Sequence, residues 1–519
     1  MLVKVLSGAV IGLDGVPIEV EVDIASQGLP SFTIVGLPDK AVEESKERVR
    51  SAIKNSNFDF PAKRITVNLA PADLPKEGPS YDLPIALGIM LASEQIKADI
   101  SDTLFTGELS LDGKLRHTNG ILPQVLMAKE NKIKKIVIPE ENALEASIIK
   151  EVDVYTPKNL LALAKHLTGE VLITPLKHTY LKQYLKSEIF DSDMQDIQGQ
   201  EQAKRAMEIA AAGGHNILLK GPPGAGKTLI ARTLPSILPN LSLDEALEVT
   251  KIYSISGLLN KDTIITKRPF RAPHHTTSYI GLIGGSAMPK PGEISLAHRG
   301  VLFLDEFPEF PRQVLEALRQ PMEDGFVTIS RAQGRITFPS KFMLVTAQNP
   351  CPCGFLGDKT HACHCTASQI LRYQKRVSGP MLDRIDIHLE VPAVKVEKLT
   401  AGDNVKRETS AQIRKRVQKA RDIQLKRFSA KGGSSSGRKY NISSNAEMTN
   451  RDIKKFCELS EECLSLLRMA VTRMNLSARS YHRIIKLART IADLEEVKNI
   501  KPTHIAEGLQ YRPKLENPY

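Results

Sequence analysis

The sequence predicts a multidomain α/β fold, and three observations support that prediction. The chain has 519 residues, which is enough for roughly three or four domains. Stretches rich in β-branched residues, such as 20–24 and 64–69, alternate with amphipathic stretches such as 39–54, as in mixed strands and helices. A glycine-rich loop at 221–228 directly follows the apolar stretch 216–220. A loop between a strand and a helix is typical of nucleotide-binding α/β domains.

Composition excludes several classes of protein. Hydrophobic residues make up 41% of the chain, which is too many for a disordered protein. No apolar run reaches the roughly 18 residues of a membrane span, and the N-terminus lacks the pattern of a signal peptide, so we expect a cytoplasmic protein without a membrane partner. Four of the six cysteines lie between positions 351 and 365, unlike a disulfide framework. The net charge of +12 favours a polyanionic partner without identifying one.

The pattern along the chain predicts six regions. The turn pair Asp112-Gly113 lies inside a hairpin of the first region, and the Gly/Ser-rich stretch 431–437 marks a flexible linker. The regions are an α+β domain at 1–168, a linker at 169–190, an α/β core at 191–394, a basic helical segment with the flexible linker at 395–443, a helical domain at 444–512 and a tail at 513–519.

The glycine-rich loop matches the pattern G-x-x-x-x-G-K-[ST] of a Walker A phosphate-binding loop. Its backbone N–H groups and the following helix N-terminus attract phosphate oxygens. Lys227 would reach the β- and γ-phosphates of ATP, and the Thr228 hydroxyl would bind Mg²⁺. The predicted ATP-binding residues are Gly221, Pro222, Pro223, Gly224, Ala225, Gly226, Lys227 and Thr228.

A second motif completes the predicted site. The apolar stretch 301–304 reads as a strand, and it ends in two acids, Asp305 and Glu306. Asp305 would hold the magnesium with its water shell, and Glu306 would polarise the attacking water as the catalytic base. The sequence therefore predicts an ATPase.

These motifs, together with residues 270–276 and 378–386, resemble an AAA+ protein of the magnesium-chelatase-like branch, specifically the YifB/ComM family. The resemblance covers nearly the whole chain. It implies an AAA+ P-loop NTPase core with a helical lid, preceded by a Lon-protease-like, ribosomal-S5-like α+β domain.

The resemblance also implies roles for single residues. Asn349 is placed like sensor 1, which orients the lytic water, and Arg384 is placed like the arginine finger. Arg479 is placed like sensor 2 in the lid, and Arg483, one turn later, is an open alternative. Because an arginine finger acts on a neighbouring subunit, the resemblance implies a homo-oligomeric ring, expected to be a hexamer.

Two segments resemble the insertions of this branch. Residues 268–290 are placed like a helix-2 insert, and 326–338 read as two β-prone arms around a glycine-containing tip. The DNA-binding candidates are Arg331, Arg335 and Lys341, which would attract a phosphate backbone without regard to sequence. A plain solvated hairpin is the alternative. The adjacent pair His274-His275 is not expected to bind a metal, since neighbouring side chains on an extended segment point to opposite faces.

A cysteine cluster predicts a structural zinc site. Four soft ligands within fifteen positions suit tetrahedral Zn²⁺, although the spacing C-x-C is tighter than that of a usual zinc knuckle. His361 or His364 could replace one thiolate, and unliganded thiols remain the alternative. The predicted ligands are Cys351, Cys353, Cys363 and Cys365.

The N-terminal domain raises the question of peptidase activity. Residues 76–80 resemble the segment around the catalytic serine of Lon-type proteases, with Ser80 at the serine position. Those enzymes activate the serine with a lysine, and here Leu122 occupies the lysine's place. We therefore do not expect a peptidase.

The resemblance implies an ATP-dependent DNA helicase that promotes branch migration of recombination intermediates in natural transformation, acting on single-stranded and branched DNA. The alternative is a protein-remodelling ATPase like the magnesium-chelatase motor subunit. Two features weigh against that alternative at this stage: the N-terminal Lon-like domain, taken to be absent from the chelatase subunit, and the basic balance of the chain.

Overall fold

The fold is seen in a computed structural model that describes most of the chain. The described residues are 1–179, 190–259, 264–285, 289–331, 334–358, 361–393, 407–430 and 442–513. By contact they form two units: Met1–Lys186 with Ser242–Thr266, and Ser187–Leu241 with Lys267–Tyr519. The predicted glycine-serine linker at 431–437 and most of the tail lie outside the described residues.

The elements alternate between strands and helices along much of the chain. The strands are β1 (Leu2–Ile11), β2 (Asp14–Ile24), β3 (Ser31–Val35), β4 (Arg64–Ala70), β5 (Thr103–Phe105), β6 (Glu108–Leu109), β7 (Leu115–Arg116), β8 (Lys135–Val137), β9 (Asp153–Tyr155), β10 (Ile217–Lys220), β11 (Phe270–Arg271), β12 (Gly284–Gly285), β13 (Lys290–Pro291), β14 (Val301–Leu304), β15 (Phe326–Arg331), β16 (Gly334–Pro339), β17 (Met343–Gln348) and β18 (Ile387–Glu390). The helices are α1 (Lys40–Glu43), α2 (Ser45–Asn55), α3 (Asp82–Ala92), α4 (Ile121–Glu130), α5 (Ala143–Ala146), α6 (Leu160–Leu167), α7 (Glu201–Gly213), α8 (Lys227–Thr233), α9 (Leu243–Ser256), α10 (Tyr279–Ile283), α11 (Glu293–Leu296), α12 (Arg312–Ala317), α13 (Arg319–Asp324), α14 (Ala367–Gln374), α15 (Gly379–Leu382), α16 (Ser410–Ala430), α17 (Asn450–Phe456), α18 (Glu461–Met474), α19 (Ala478–Leu494) and α20 (Pro502–Gln510).

The first unit is built on a seven-stranded mixed sheet in the order β3-β4-β2-β1-β5-β8-β9. Strands β1 and β2 form a long antiparallel pair, and alternate residues of β2 are buried, as their period-2 pattern predicts. Helix α3 packs against this pair, and every residue of the helix is buried. The resulting apolar layer between sheet and helix is the main core of the unit.

Helix α9 belongs to the first unit, although the sequence analysis placed its residues in the core at 191–394. Its N-terminus carries a capping box between Ser242 and Glu245, and the helix packs against α4. At its C-terminus, the Ser254 carbonyl accepts a hydrogen bond from the Gly120 N–H at 3.2 Å, and the Ser254 hydroxyl donates to Glu145 at 2.8 Å. These polar contacts join residues more than one hundred positions apart, so local sequence gives no sign of them.

The second unit contains a parallel five-stranded sheet in the order β11-β14-β17-β10-β18. Strand β10, the first of the five in sequence, lies between the last two, β17 and β18. The order of the strands in the sheet therefore switches at β10, and such a switch leaves a crevice at the carboxyl ends of the strands. Helix α19 contributes to two apolar clusters: Ile484 packs with the other helices after residue 444, whereas Leu487 and Ile491 pack in the core around the parallel sheet. All three residues are buried, as their helical spacing predicts. No helix in the described ranges is both long enough and apolar enough to cross a membrane.

Candidate functional site

The phosphate-binding loop lies at the carboxyl end of β10, in the crevice of the parallel sheet. Strand β10 is buried up to its last residue, and α8 begins immediately after the loop. Gly226 caps α8 in the left-handed conformation with φ of 84°, which costs little without a Cβ. A Cβ on Gly221 would lie 2.1 Å from the carbonyl oxygen of Val391, so only glycine fits there. The backbone therefore makes the turn that a phosphate cradle requires.

Lys227 connects the loop to the predicted sensor 1. Its ammonium donates to the carbonyl oxygens of Gly221 and Pro222, both at 2.8 Å, and to Asn349 Oδ1 at 3.1 Å. Burial lowers the pKa of Lys227, and the nearby charge of Asp305 opposes that shift. The structure thus brings together three residues that the sequence analysis assigned to one site from separate motifs.

Thr228 and Asp305 form the oxygen pair that the sequence predicts for magnesium. The Thr228 hydroxyl donates to Asp305 Oδ2 at 2.8 Å. Thr228 lies in α8, which follows β10, and Asp305 lies at the end of β14. Strand β17 lies between β10 and β14, and the three parallel strands end at the same edge of the sheet. A hydroxyl and a carboxylate are hard oxygen ligands of the kind Mg²⁺ takes. The residues present therefore fit the expected ion.

Glu306 adopts a backbone conformation that is unusual for its residue type. It has φ of 51° and ψ of 45°, and its N–H donates to Asp305 Oδ1 at 2.9 Å. Its carboxylate lies 3.1 Å from Nδ1 of His275 and remains largely exposed. A non-glycine residue in the left-handed region is strained, and such positions cluster at functional sites. The predicted catalytic base thus has a histidine partner.

His275 is a site residue that the sequence analysis missed. The analysis considered the pair His274-His275 only as a metal site. In the structure His274 bonds to Thr276 while His275 reaches Glu306, so the two imidazoles serve different partners. The position of His275 shortly after β11, a neighbour of β14, was the available signal, because adjacent parallel strands end at the same edge.

The predicted arginine finger and sensor 2 meet at one carboxylate. Nη2 of Arg384 lies 2.7 Å from Glu323 Oε1, and Nη2 of Arg479 lies 2.8 Å from the same oxygen. Arg384 also donates to the carbonyl of Pro380 at 2.7 Å. The side chain of Arg384 is 10% exposed and that of Arg479 is 45% exposed. The sequence analysis did not anticipate Glu323.

Arg483, the alternative for sensor 2, makes an ion pair with a buried carboxylate instead. Its guanidinium bonds to Asp386, which also lies 3.2 Å from Nδ1 of His215. Burial opposes ionisation of Asp386, but the charge of Arg483 and the contact with His215 outweigh it and keep the pKa of Asp386 below its usual range. This arrangement gives Arg483 a structural partner and leaves Arg479 as the more accessible arginine.

The four clustered cysteines have the geometry of a metal site. The Sγ atoms of Cys351, Cys353 and Cys363 are 3.4 to 3.7 Å apart, and all four sulfurs, Cys365 included, lie within 4.8 Å of one another. Tetrahedral zinc with Zn–S bonds of about 2.3 Å sets its sulfurs about 3.8 Å apart. A backbone hydrogen bond from Phe355 lowers the pKa of Cys353 to about 6. Cys363, although it accepts a backbone hydrogen bond from Cys365, has its pKa raised to about 12 by burial and by its contact with Cys353. The distances between the sulfurs fit Zn²⁺.

Strands β15 and β16 form an antiparallel hairpin whose arms pair from Phe326↔Pro339 to Arg331↔Gly334. Arg335 is exposed next to the tip, and it forms no ion pair with any described residue. Lys341, by contrast, lies 3.1 Å from Glu447. The side chain of Arg331, the third predicted DNA contact, lies outside the described part of the structure. Of the other two, Arg335 is the one without an ion pair to a described residue.

The Lon-like residues of the first unit lie in a packed setting. Ser80 is in a short 3₁₀ turn, where its carbonyl accepts a hydrogen bond from the Gly107 N–H at 2.9 Å. Leu122, at the place of the Lon lysine, is fully buried in α4. Lys76 is also buried and donates to the carbonyl of Pro71.

Three family models match the chain in succession. The model described as "Subunit ChlI of Mg-chelatase" matches residues 20–142. The model described as "Magnesium chelatase, subunit ChlI" matches residues 193–399. The model described as "Magnesium chelatase, subunit ChlI C-terminal" matches residues 407–512. Together they span both units.

Similar proteins give the finer family. The Competence protein ComM of Haemophilus influenzae is 45% identical, over 98% of this chain and 97% of its own length. An uncharacterized protein YifB of Escherichia coli is 43% identical, over 97% of this chain and 96% of its own length. Lon protease 2 of Bacillus subtilis is 31% identical over 150 residues, 26% of this chain and 27% of its own length. The predicted fold class and family are thereby confirmed: the chain belongs to the YifB/ComM family of magnesium-chelatase-like AAA+ proteins.

Proposed function

We propose that the chain is an ATP-dependent DNA helicase, working as a hexamer, that promotes branch migration of recombination intermediates in natural transformation. The observation that carries the proposal is the hairpin β15–β16, which belongs to the same unit as the phosphate-binding loop. Near its tip it has an exposed Arg335 that forms no ion pair with any residue the structure describes. The choice of pathway is supported by the name of a relative that matches along nearly its whole length, Competence protein ComM of Haemophilus influenzae.

The contacts around the loop support ATP hydrolysis. Lys227 would bind the β- and γ-phosphates, and Asn349, which it contacts at 3.1 Å, would orient the attacking water. Glu306 would accept the proton of that water. Thr228 and Asp305 would hold Mg²⁺, which neutralises phosphate charge when bound.

The proposed hexamer rests on the placement of two arginines. Within the described ranges, the contacts of Arg384 and Arg479 are with Glu323 and Pro380, and none is with the loop residue Lys227. A subunit whose finger serves a neighbour's nucleotide needs this separation. In other NTPases an arginine finger contributes roughly 10³ to 10⁵ in rate, so the isolated subunit would turn over ATP slowly.

We assign the four cysteines to a structural zinc ion. A shell of four thiolates leaves no open position for a substrate or water, so the ion would stabilise the fold and would not take part in hydrolysis. The cluster begins two residues after Asn349, and a metal there would fix the position of sensor 1.

DNA contact would be electrostatic and independent of sequence. Arg335 presents five N–H donors to solvent with no carboxylate to neutralise it among the described residues. Single-stranded and branched DNA both offer the phosphate oxygens that such a side chain binds. In a ring, the equivalent Arg335 of each subunit would provide one such contact, so the ring would offer several.

A protein-remodelling ATPase like the magnesium-chelatase motor remains the second candidate, because all three family models are described by that enzyme's subunit ChlI. The N-terminal domain does not argue against this candidate, because a model described as a subunit of that enzyme matches residues 20–142. The sequence-based expectation that the chelatase subunit lacks such a domain is therefore wrong. The exposed cationic hairpin is what favours DNA.

The experiment is a branch-migration assay on a labelled four-way junction with heterologous arms that prevent spontaneous exchange. The purified full-length chain should release the labelled strand only with ATP and Mg²⁺, and Lys227→Ala should abolish release because the loop loses its phosphate-binding cation. Release without ATP, or equal release by Lys227→Ala, would contradict the proposal. ATP turnover with no action on any junction would favour the remodelling candidate.

A further inference from the structure

Among the described residues, Glu323 is the one acid that pairs with both Arg384, the predicted arginine finger, and Arg479, the predicted sensor 2. Its Oε1 atom lies 2.7 Å from Arg384 and 2.8 Å from Arg479. Neither arginine forms an ion pair with any other residue that the structure describes. One negative charge therefore serves two positive ones, and the group keeps a net charge of +1 that attracts a further anion.

The guanidinium of Arg384 has a hydrogen-bond donor that no described residue uses. A guanidinium offers five N–H donors. Arg384 directs one nitrogen to Glu323 and one to the carbonyl of Pro380, while its buried Nε has no hydrogen-bond partner in the part of the chain described. A terminal phosphate has three acceptor oxygens and a larger negative charge than a carboxylate, so it would compete effectively for these donors.

Glu323 is also joined closely to the hairpin. It is the penultimate residue of α13, and β15 begins three positions later at Phe326. Gly325, between them, donates to Pro321 at 3.0 Å and accepts from Ser340 at 2.8 Å. The glycine thus ties the helix end to the base of both arms, and a displacement of Glu323 must act on the hairpin through a short, hydrogen-bonded connection.

We propose that Glu323 is a positioning residue that restrains Arg384 and Arg479 until a phosphate draws them away, and that its release moves the β15–β16 hairpin. In an assembled ring the phosphate would belong to a neighbouring subunit's nucleotide, so this inference rests on the proposed function. The Glu323 carboxylate competes with the γ-phosphate for the two arginines. The position of the hairpin depends on which of these two anions binds them.

The first test is ATP turnover by the full-length chain without DNA. Glu323→Gln keeps the size of the side chain and removes the charge, so kcat should rise by about three- to tenfold, the range expected from losing two partly exposed ion pairs. KM for ATP should stay within about twofold, since the phosphate-binding loop is unchanged. Glu323→Asp restores the charge and should return kcat toward the wild-type value.

The control is Glu408→Gln, which removes another exposed carboxylate that pairs with an arginine, Arg416, at 2.7 Å in the same unit. It should leave kcat unchanged. A kcat for Glu323→Gln that is unchanged or lower than wild type, with the control normal, would overturn the restraint. These measurements use no DNA, so a wild-type chain that DNA fails to stimulate would contradict the proposed function while leaving the result for Glu323 readable.

The second test follows the hairpin without turnover. The chain contains no tryptophan, so Phe326→Trp at the start of β15 provides a single emission signal. Adding ADP with beryllium fluoride, a γ-phosphate mimic, should change the emission, and Glu323→Gln in the same chain should remove most of that change. An equal emission change in both chains, or none in either, would overturn the link between Glu323 and the hairpin.

Discussion

Replacing Arg335 by alanine should weaken DNA binding by an amount that depends on salt. The side chain is exposed and has no ion-pair partner among the described residues, so it can neutralise one full phosphate charge. Each phosphate contact on single-stranded DNA contributes about 0.7 to the slope of log K against log salt. Losing the contact should lower that slope by about 0.7 for each engaged subunit, and each lost contact corresponds to about fivefold weaker binding near 0.1 M salt.

The assay is fluorescence anisotropy of a labelled oligothymidine, titrated with the full-length chain across a series of salt concentrations. Arg468→Ala is the matched control, because it removes another exposed arginine in the same unit, on α18, away from the hairpin. The control should keep the wild-type slope. A slope unchanged by Arg335→Ala, or lowered equally by Arg468→Ala, would refute the assignment of the hairpin as the DNA contact.

The remaining predictions concern the base, the metal and a buried acid. Glu306→Gln should retain bound ATP in a filter assay while turnover falls by about 10²-fold or more, because an amide cannot accept the proton of the attacking water; undiminished turnover would contradict this role. Cys363→Ser should lower the zinc content found by metal analysis, and a wild-type chain without zinc would contradict the metal assignment. Asp386→Asn should lower the free energy of unfolding near pH 7 by about 3 kcal/mol, since it leaves Arg483, whose side chain is only 17% exposed, without its partner. The pKa of Asp386 is lower in the folded than in the unfolded state, so its ionised form stabilises the fold above the unfolded pKa of about 4. This stabilisation is lost as the pH falls toward the folded pKa. The difference in unfolding free energy between variant and wild type should therefore become smaller below about pH 4. Chemical denaturation of both chains at several pH values measures this difference, and a difference that does not change with pH would contradict the role of ionised Asp386.

The sequence predicted the phosphate-binding loop well because the chemistry there is local. The turn at Gly226 and the helix that follows depend on adjacent residues, and they form as expected. Asp305 could be placed opposite Thr228 for a related reason: parallel strands bring their ends to one edge of a sheet, so two motifs separated by many residues meet.

Contacts between distant residues escaped prediction. Glu323 precedes Arg384 by 61 positions and Arg479 by 156, as their numbers give, and nothing near an isolated glutamate marks it as the partner of two arginines. Helix α9 likewise has the capping box of an ordinary helix, and only its packing on α4 assigns it to the first unit. Such choices depend on tertiary packing, which local patterns do not encode.

The most direct test of the central claim is the steady-state ATPase rate at fixed salt without DNA, with single strands, with duplex and with a four-way junction. A DNA motor predicts strong stimulation by single strands or junctions, and loss of all turnover in Lys227→Ala. A rate that is the same with every DNA, together with no DNA binding at low salt, would contradict the account and indicate a motor that acts on protein.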